Sequence, residues 1–266
     1  MRTKQQDTPG TLELFGFTLH RLDLEEATER VLAATAAAGA PQETGPLHVV
    51  TLNPEIVVRS REDAELYAAV KRAQLTVADG IGIVWAARRA GVVLPGRVPG
   101  VELSQLALAR GGGALNVYFL GGRPGVAQRA AAQAREQWGI RVAGVHDGYF
   151  GSEQEEQVVE QIAASRPDLL LAALGERQEL FLDRNRNRLN ARVMIGVGGT
   201  LDVLAGEVER TPEWTRRYNL EWAYRVGLDR KRWHRFPRLL KFAALVLRND
   251  LAGPPGQPAP GSRIAR

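Results

Sequence analysis

The sequence predicts an α/β fold: a mainly parallel sheet flanked by helices, with a basic helical appendage at its C-terminal end. Three observations point there. Short apolar, β-branched runs alternate along the chain with helix-period patterns. The strand runs are apolar on both faces, as strands buried inside a parallel sheet are. After Gly206 the texture changes, and arginine and lysine mix with aromatic residues.

The strand candidates are 47–52, 75–78, 115–120, 140–145, 168–174 and 192–197. Helix patterns lie between them at 62–72, 81–90, 101–110, 124–138, 153–165 and 178–189. Such repeated strand–helix–strand units favour parallel pairing, so a Rossmann-like sheet is expected. A further helix near 24–38 is expected to pack outside it. Beyond Gly206, helical patterns at 212–227 and 231–248 carry three of the five tryptophans. The expected organisation is a flexible N-terminus at 1–10, an α/β domain at 11–206, a helical appendage at 207–250 and a disordered tail at 251–266. The tail holds four prolines and three glycines between Ala252 and Arg266, a composition that buries little apolar surface. A cut near Gly206 is expected to leave a folded core.

With 266 residues, 44% hydrophobic and 24% charged, the chain has the composition of a soluble globular protein. It is long enough for one sizeable core, or one core plus an appendage. It has no cysteine, which excludes a disulfide framework and a thiolate metal site. The four histidines are scattered without metal-ligand spacing and read as surface or partly buried imidazoles. The first ten residues are polar, unlike a signal peptide. The longest candidate membrane stretch, 242–247, falls far short of the roughly 20 residues a membrane-spanning helix needs. Net charge is +5, yet residues 210–248 alone carry +8 and the remainder −3. An anionic partner for that segment follows from the asymmetry.

Two segments place chemistry at strand ends. Thr51-Leu52-Asn53-Pro54 closes one expected strand, and Asp79-Gly80-Ile81-Gly82 follows the next. In a parallel sheet the carboxyl ends of the strands line the ligand crevice. A hydroxyl, a carboxamide and a carboxylate therefore share one mouth, the groups that hold a polar substrate and remove a proton from it. Asp79 before glycine also reads as a turn or N-cap residue. Leu120-Gly121-Gly122-Arg123-Pro124-Gly125 and Gly196-Val197-Gly198-Gly199-Thr200 are glycine turns from strand to helix. Such turns let backbone N–H groups approach an anion, although tight turns need glycine in any case. Gln178-Glu179 opens a helix after a strand, where an amide can read a sugar hydroxyl or a uracil edge. An ordinary first-turn pair is the other reading. The chain contains no Asp-x-Asp, a pair that holds a divalent cation beside a diphosphate.

Assembled in order, these segments resemble the WecG/TagA/CpsF family, glycosyltransferase family 26. The resemblance runs from about Leu12 to Arg248. It rests on Thr51-Leu52-Asn53-Pro54-Glu55, Ala78-Asp79-Gly80-Ile81-Gly82, Arg97-Val98-Pro99-Gly100-Val101-Glu102-Leu103, Phe119-Leu120-Gly121-Gly122 and Gly144-Val145-His146-Asp147-Gly148-Tyr149-Phe150. It continues through Gln178-Glu179, Gly196-Val197-Gly198-Gly199-Thr200-Leu201-Asp202, Arg210-Thr211-Pro212-Glu213-Trp214 and Leu220-Glu221-Trp222-Ala223-Tyr224-Arg225. One departure is Gly175-Glu176-Arg177-Gln178-Glu179, which lacks the family's proline and is one residue shorter.

The resemblance implies an inverting, metal-independent hexosyltransferase without a cofactor. It would move an N-acetylmannosamine-type or uronic acid sugar from a UDP donor to a polyprenyl-diphosphate-linked sugar. The products belong to cell-surface polymers such as teichoic acid or exopolysaccharide. By the same resemblance Asp79 is the general base and Thr51 and Asn53 position the sugars. Arg97 and Gln178 bind in the same pocket. The glycine turns, with Gly121, Gly122, Gly198 and Gly199, face the nucleotide. Arg225, Arg232 and Arg235 match family arginines that meet the diphosphate of the lipid carrier. The implied location is the inner face of the cell membrane, with the enzyme cytoplasmic and peripheral. A basic, tryptophan-rich appendage suits such docking. Its partners would be the two substrates and an anionic membrane surface, with a homo-oligomer left open and nucleic acid excluded.

Two other classes compete. A Rossmann-type oxidoreductase wants G-x-G-x-x-G and an acidic residue about 20 positions on, and neither is present. A nucleic-acid-binding protein could stack bases on the arginine–aromatic segment, but this leaves Thr51, Asn53 and Asp79 without a use.

Overall fold

The structure, a computed structural model, describes residues 10–37, 45–208 and 236–254. Its centre is a six-stranded sheet in which every pairing is parallel. A hairpin of β1 (Thr11–Leu14) and β2 (Phe17–His20) precedes it. The sheet strands are β3 (Leu47–Leu52), β4 (Leu75–Ala78), β5 (Asn116–Gly121), β6 (Arg141–His146), β7 (Leu169–Ala173) and β8 (Val193–Gly196). They lie in the order β4-β3-β8-β7-β5-β6. All six expected strands are present, within about two residues at each end. The α/β expectation is met.

Alternation along the strands divides the core. Val49, Val77, Val117, Phe119, Leu171 and Ile195 face one side. There they pack under α1 (Leu24–Ala36), α5 (Gly100–Gly111), α6 (Val126–Trp138) and α9 (Thr200–Leu204). The opposite side has two patches. Val50 and Leu52 meet the hairpin, α2 (Pro54–Glu62), α3 (Ala64–Lys71) and α4 (Ile81–Arg89). Tyr118, Leu120, Leu170 and Met194 meet α7 (Ser152–Ser165) and α8 (Gln178–Asn185).

Three local features depart from the sequence expectation. The pattern at 62–72 corresponds to α3, which starts two residues later than expected because Asp63 ends the preceding helix α2 and caps α3. Its carboxylate accepts the N–H groups of Glu65 and Leu66, both at 2.9 Å, and its extended backbone makes the corner. The α2 helix begins earlier, at Pro54, because Asn53 caps it and proline is favoured in a first turn. The hairpin is too short to register as periodicity, yet Leu12, Leu14, Phe17 and Leu19 are all buried.

The C-terminal helix α10 (Phe236–Leu247) forms where a helix is expected. Part of the expected appendage, it packs on α2 and α4 and belongs to the core. Phe242 and Val246 are buried, and the Phe242 ring lies 5.5 Å from that of Phe15. Beyond it Leu251 is also buried, and its carbonyl accepts the Phe15 N–H at 2.6 Å. Arg61 donates to Asp250 and to the Ala252 carbonyl. A cut near Gly206 therefore strips side chains from the core, Leu251 among them. The pattern at 212–227 and the arginines Arg225, Arg232 and Arg235 lie outside the described residues. Among the described residues no helix is long and apolar enough to cross a membrane.

Candidate active site

A cavity of about 530 Å³ opens at the carboxyl ends of β3, β4, β7 and β8. Register builds it. Leu52 pairs with Ala78, so the next residues, Asn53 and Asp79, leave adjacent strands side by side. The Asp79 N–H still donates to the Leu52 carbonyl at 2.8 Å, which fixes the backbone carrying the carboxylate. The Ala78 carbonyl accepts the Val98 N–H at 2.7 Å and draws the Arg97 loop alongside. Arg97 reaches Glu102 at 3.5 Å. Thr51 is buried at the end of β3, with α5 starting so close that a Cβ on Gly100 would lie 3.2 Å from its hydroxyl.

Thr51, Asn53, Asp79, Arg97, Gln178, Gly198 and Gly199 all line this cavity. Residues up to 148 positions apart in sequence thus converge. Asn53 has a structural task as well. Its carboxamide oxygen accepts the N–H groups of Glu55 and Ile56, both at 3.0 Å, as the N-cap of α2. Its NH2 is the half of the amide left for a ligand.

Gly121 and Gly122 are not among the lining residues. Gly121 has φ +125°, and a Cβ there would overlap the Ala173 carbonyl of the neighbouring strand. Gly122 donates its N–H to that carbonyl at 3.2 Å and accepts from Gly148 at 2.8 Å. This turn is tight because β5 and β7 pack closely, the structural alternative already present in the sequence. Gly121→Ala is expected to destabilise the fold by about 1–3 kcal/mol, since backbone cannot yield to the new methyl. Denaturant unfolding measures it, and unchanged stability would refute the packing role.

The rim brings in residues that local sequence did not mark. Arg238 on α10 pairs with Glu55 at 2.7 Å and with Glu176. Those bonds, to Glu176 first, raise its pKa above the ordinary guanidinium value. Arg59 also meets Glu176, at 3.7 Å, and donates to its carbonyl at 2.8 Å. Glu55, Arg59 and Glu176 all line the cavity, so the C-terminal helix is tied to its edge. At the floor, Gln178 donates to Glu179 at 3.0 Å, and Glu179 meets His48 at 3.3 Å. His48 is fully buried, although nothing in its sequence context distinguishes it from the other three histidines. Among the described residues no cluster of three His, Asp or Glu side chains could hold a metal ion.

A mouth of this kind, with a carboxylate, a guanidinium and an amide lining one cavity at the strand ends, suits transfer between polar substrates. Comparison with known proteins narrows it. The profile of the glycosyl transferase WecG/TagA/CpsF family matches residues 12–255. A relative from Bacillus spizizenii is 33% identical over 207 residues, covering 77% of this chain and 80% of that protein. It is an N-acetylglucosaminyldiphosphoundecaprenol N-acetyl-beta-D-mannosaminyltransferase. The family match spans the whole six-stranded sheet and every strand end that lines the cavity, and on that ground the chain belongs to the WecG/TagA/CpsF family of glycosyltransferases.

Proposed function

We propose that the protein transfers an N-acetylmannosamine-type sugar from a UDP donor to a polyprenyl-diphosphate-linked acceptor in cell-surface polymer biosynthesis. The observation that carries this reading is the convergence of Thr51, Asn53, Asp79, Arg97 and Gln178 on one cavity. The acceptor class follows the Bacillus relative, whose name specifies a diphosphoundecaprenol-linked sugar. In the reaction Asp79 takes the proton of the attacking acceptor hydroxyl. Displacement at the anomeric carbon inverts its configuration and releases UDP. Thr51 and the Asn53 NH2 hold sugar hydroxyls. Arg97 offsets negative charge, joined by Arg225, Arg232 and Arg235 at the diphosphates. No divalent cation is required, a reading supported by the absence of Asp-x-Asp from the chain.

The acceptor arrives from a bilayer. The +8 charge of residues 210–248 and the exposed Leu240 and Leu247 of α10 support docking on an anionic surface. A Lys or Arg held at an anionic surface contributes about 1 kcal/mol, and Arg238 and Lys241, paired with Glu55, Glu176 and Glu62, stand outside that count.

The test is a screen of UDP-sugars against a polyprenyl-diphosphate-linked N-acetylglucosamine analogue, with EDTA present. UDP-N-acetylmannosamine is expected to give a disaccharide product at an undiminished rate in EDTA. Transfer that needs an added divalent cation would refute metal independence, and no transfer from any UDP-sugar would refute the donor class.

A further inference from the structure

Below the cavity runs a buried polar chain that the proposed chemistry does not use. Glu179 on α8 and His48 on β3 are 2% and 0% exposed. His48 Nε2 lies 3.3 Å from Glu179 Oε2. Glu179 Oε1 accepts from Gln178 Nε2 at 3.0 Å, and Gln178 Oε1 accepts the Gly198 N–H at 3.0 Å. The Nδ1 of His48 has no hydrogen-bond partner. With a Glu179 oxygen as acceptor, Nε2 is the ring nitrogen that carries the hydrogen facing it. A buried ionisable pair with one ring nitrogen unpartnered is a poor device for stability, since apolar side chains of similar size would serve as well.

What the chain does specify is one amide orientation. Were the Gln178 amide flipped, its NH2 would face the Gly198 N–H and its oxygen would face a carboxylate. Both contacts would be repulsive. Gly196 belongs to the same arrangement. A Cβ there would lie 2.5 Å from Glu179 Oε1 and 2.8 Å from Gln178 Nε2, so a larger residue at the end of β8 would displace this pair. With Oε1 and one Nε2–H engaged, a single polar hydrogen of Gln178 is left for a ligand.

We propose that Glu179, held by His48, is a positioning residue. It sets the Gln178 amide so that its second Nε2–H donates to an acceptor oxygen, carbonyl or hydroxyl, of the bound UDP-sugar. The same amide ties down the Gly198 turn. This rests on the proposed function, which makes the cavity the UDP-sugar site.

The test is kinetic coupling, with KM and kcat for UDP-N-acetylmannosamine measured in the wild type, Gln178→Ala, Glu179→Met and the double variant. Glu179→Met keeps the volume and removes the acceptor. Each single change is expected to raise KM about tenfold and alter kcat less than about threefold, as loss of uniform binding does. The double variant is expected to be no worse than Gln178→Ala, because Glu179 acts through that amide. Glu179→Gln retains an acceptor and is expected within about threefold of the wild type. If Glu179→Met does not fold, His48→Asn carries the same comparison, raising KM with Gln178 present and having no effect in Gln178→Ala. Multiplicative losses in the double variant, or a wild-type KM in Glu179→Met, would overturn the positioning role. Calorimetry of UDP separates the two readings. A wild-type protein that does not bind UDP overturns the proposed function and this inference together, while multiplicative losses overturn the inference alone.

Discussion

Asp79→Asn is expected to slow sugar transfer by about 10²- to 10⁴-fold, the usual worth of a positioned general base. Binding of the UDP-sugar should change little. The substitution is nearly isosteric. The backbone bond from Asp79 to Leu52 and the bond from Val98 to Ala78 both remain, so the mouth keeps its shape. What is lost is a carboxylate able to accept the acceptor's proton as the hydroxyl attacks. Single-turnover rates, with calorimetry of UDP-sugar binding alongside, make the measurement. Full activity in a folded Asp79→Asn protein would remove Asp79 from the mechanism. A matching loss of binding would recast it as a substrate ligand.

Phe242→Ala is expected to cost about 3–5 kcal/mol of stability, as removal of a buried aromatic side chain does. In a domain of this size that lowers Tm by roughly 6–20 °C. Phe242 packs against Phe15 and beside Gly82, so its truncation leaves a void in the core. Deleting everything after Gly206 should be worse. It removes Val246 and Leu251 as well, together with the Arg61–Asp250 and Arg238–Glu55 pairs. Leu240→Ala is the counterpart, because that side chain is 56% exposed. Stability should stay within about 0.5 kcal/mol, while turnover on acceptor embedded in anionic vesicles falls and turnover on a water-soluble analogue does not. Thermal unfolding and the two assays report separately. A Phe242→Ala protein with wild-type Tm would show that α10 contributes little to the core.

The two predictions concern parts of the chain that were unequally legible. Asp79 stood out because strand, carboxylate, glycine and helix follow one another within a few residues, and parallel sheets put such junctions at the ligand crevice. The same held for Thr51, Asn53 and Gly198. Phe242 did not stand out as core. An amphipathic helix rich in arginine reads alike whether its apolar face meets a domain or a membrane. The Gly121 turn is ambiguous for a related reason, since glycine serves close strand packing and anion binding equally well, and only the tertiary structure shows the Ala173 carbonyl beside it.

Strand identity, the parallel class and the family were carried by consecutive residues, because periodicity and short motifs are local properties. Sheet order, the seating of α10 and the pairing of His48 with Glu179, 131 residues apart, came from tertiary structure alone. Each joins residues whose spacing has no period, and each depends on which side chains are left facing one another once the core has closed.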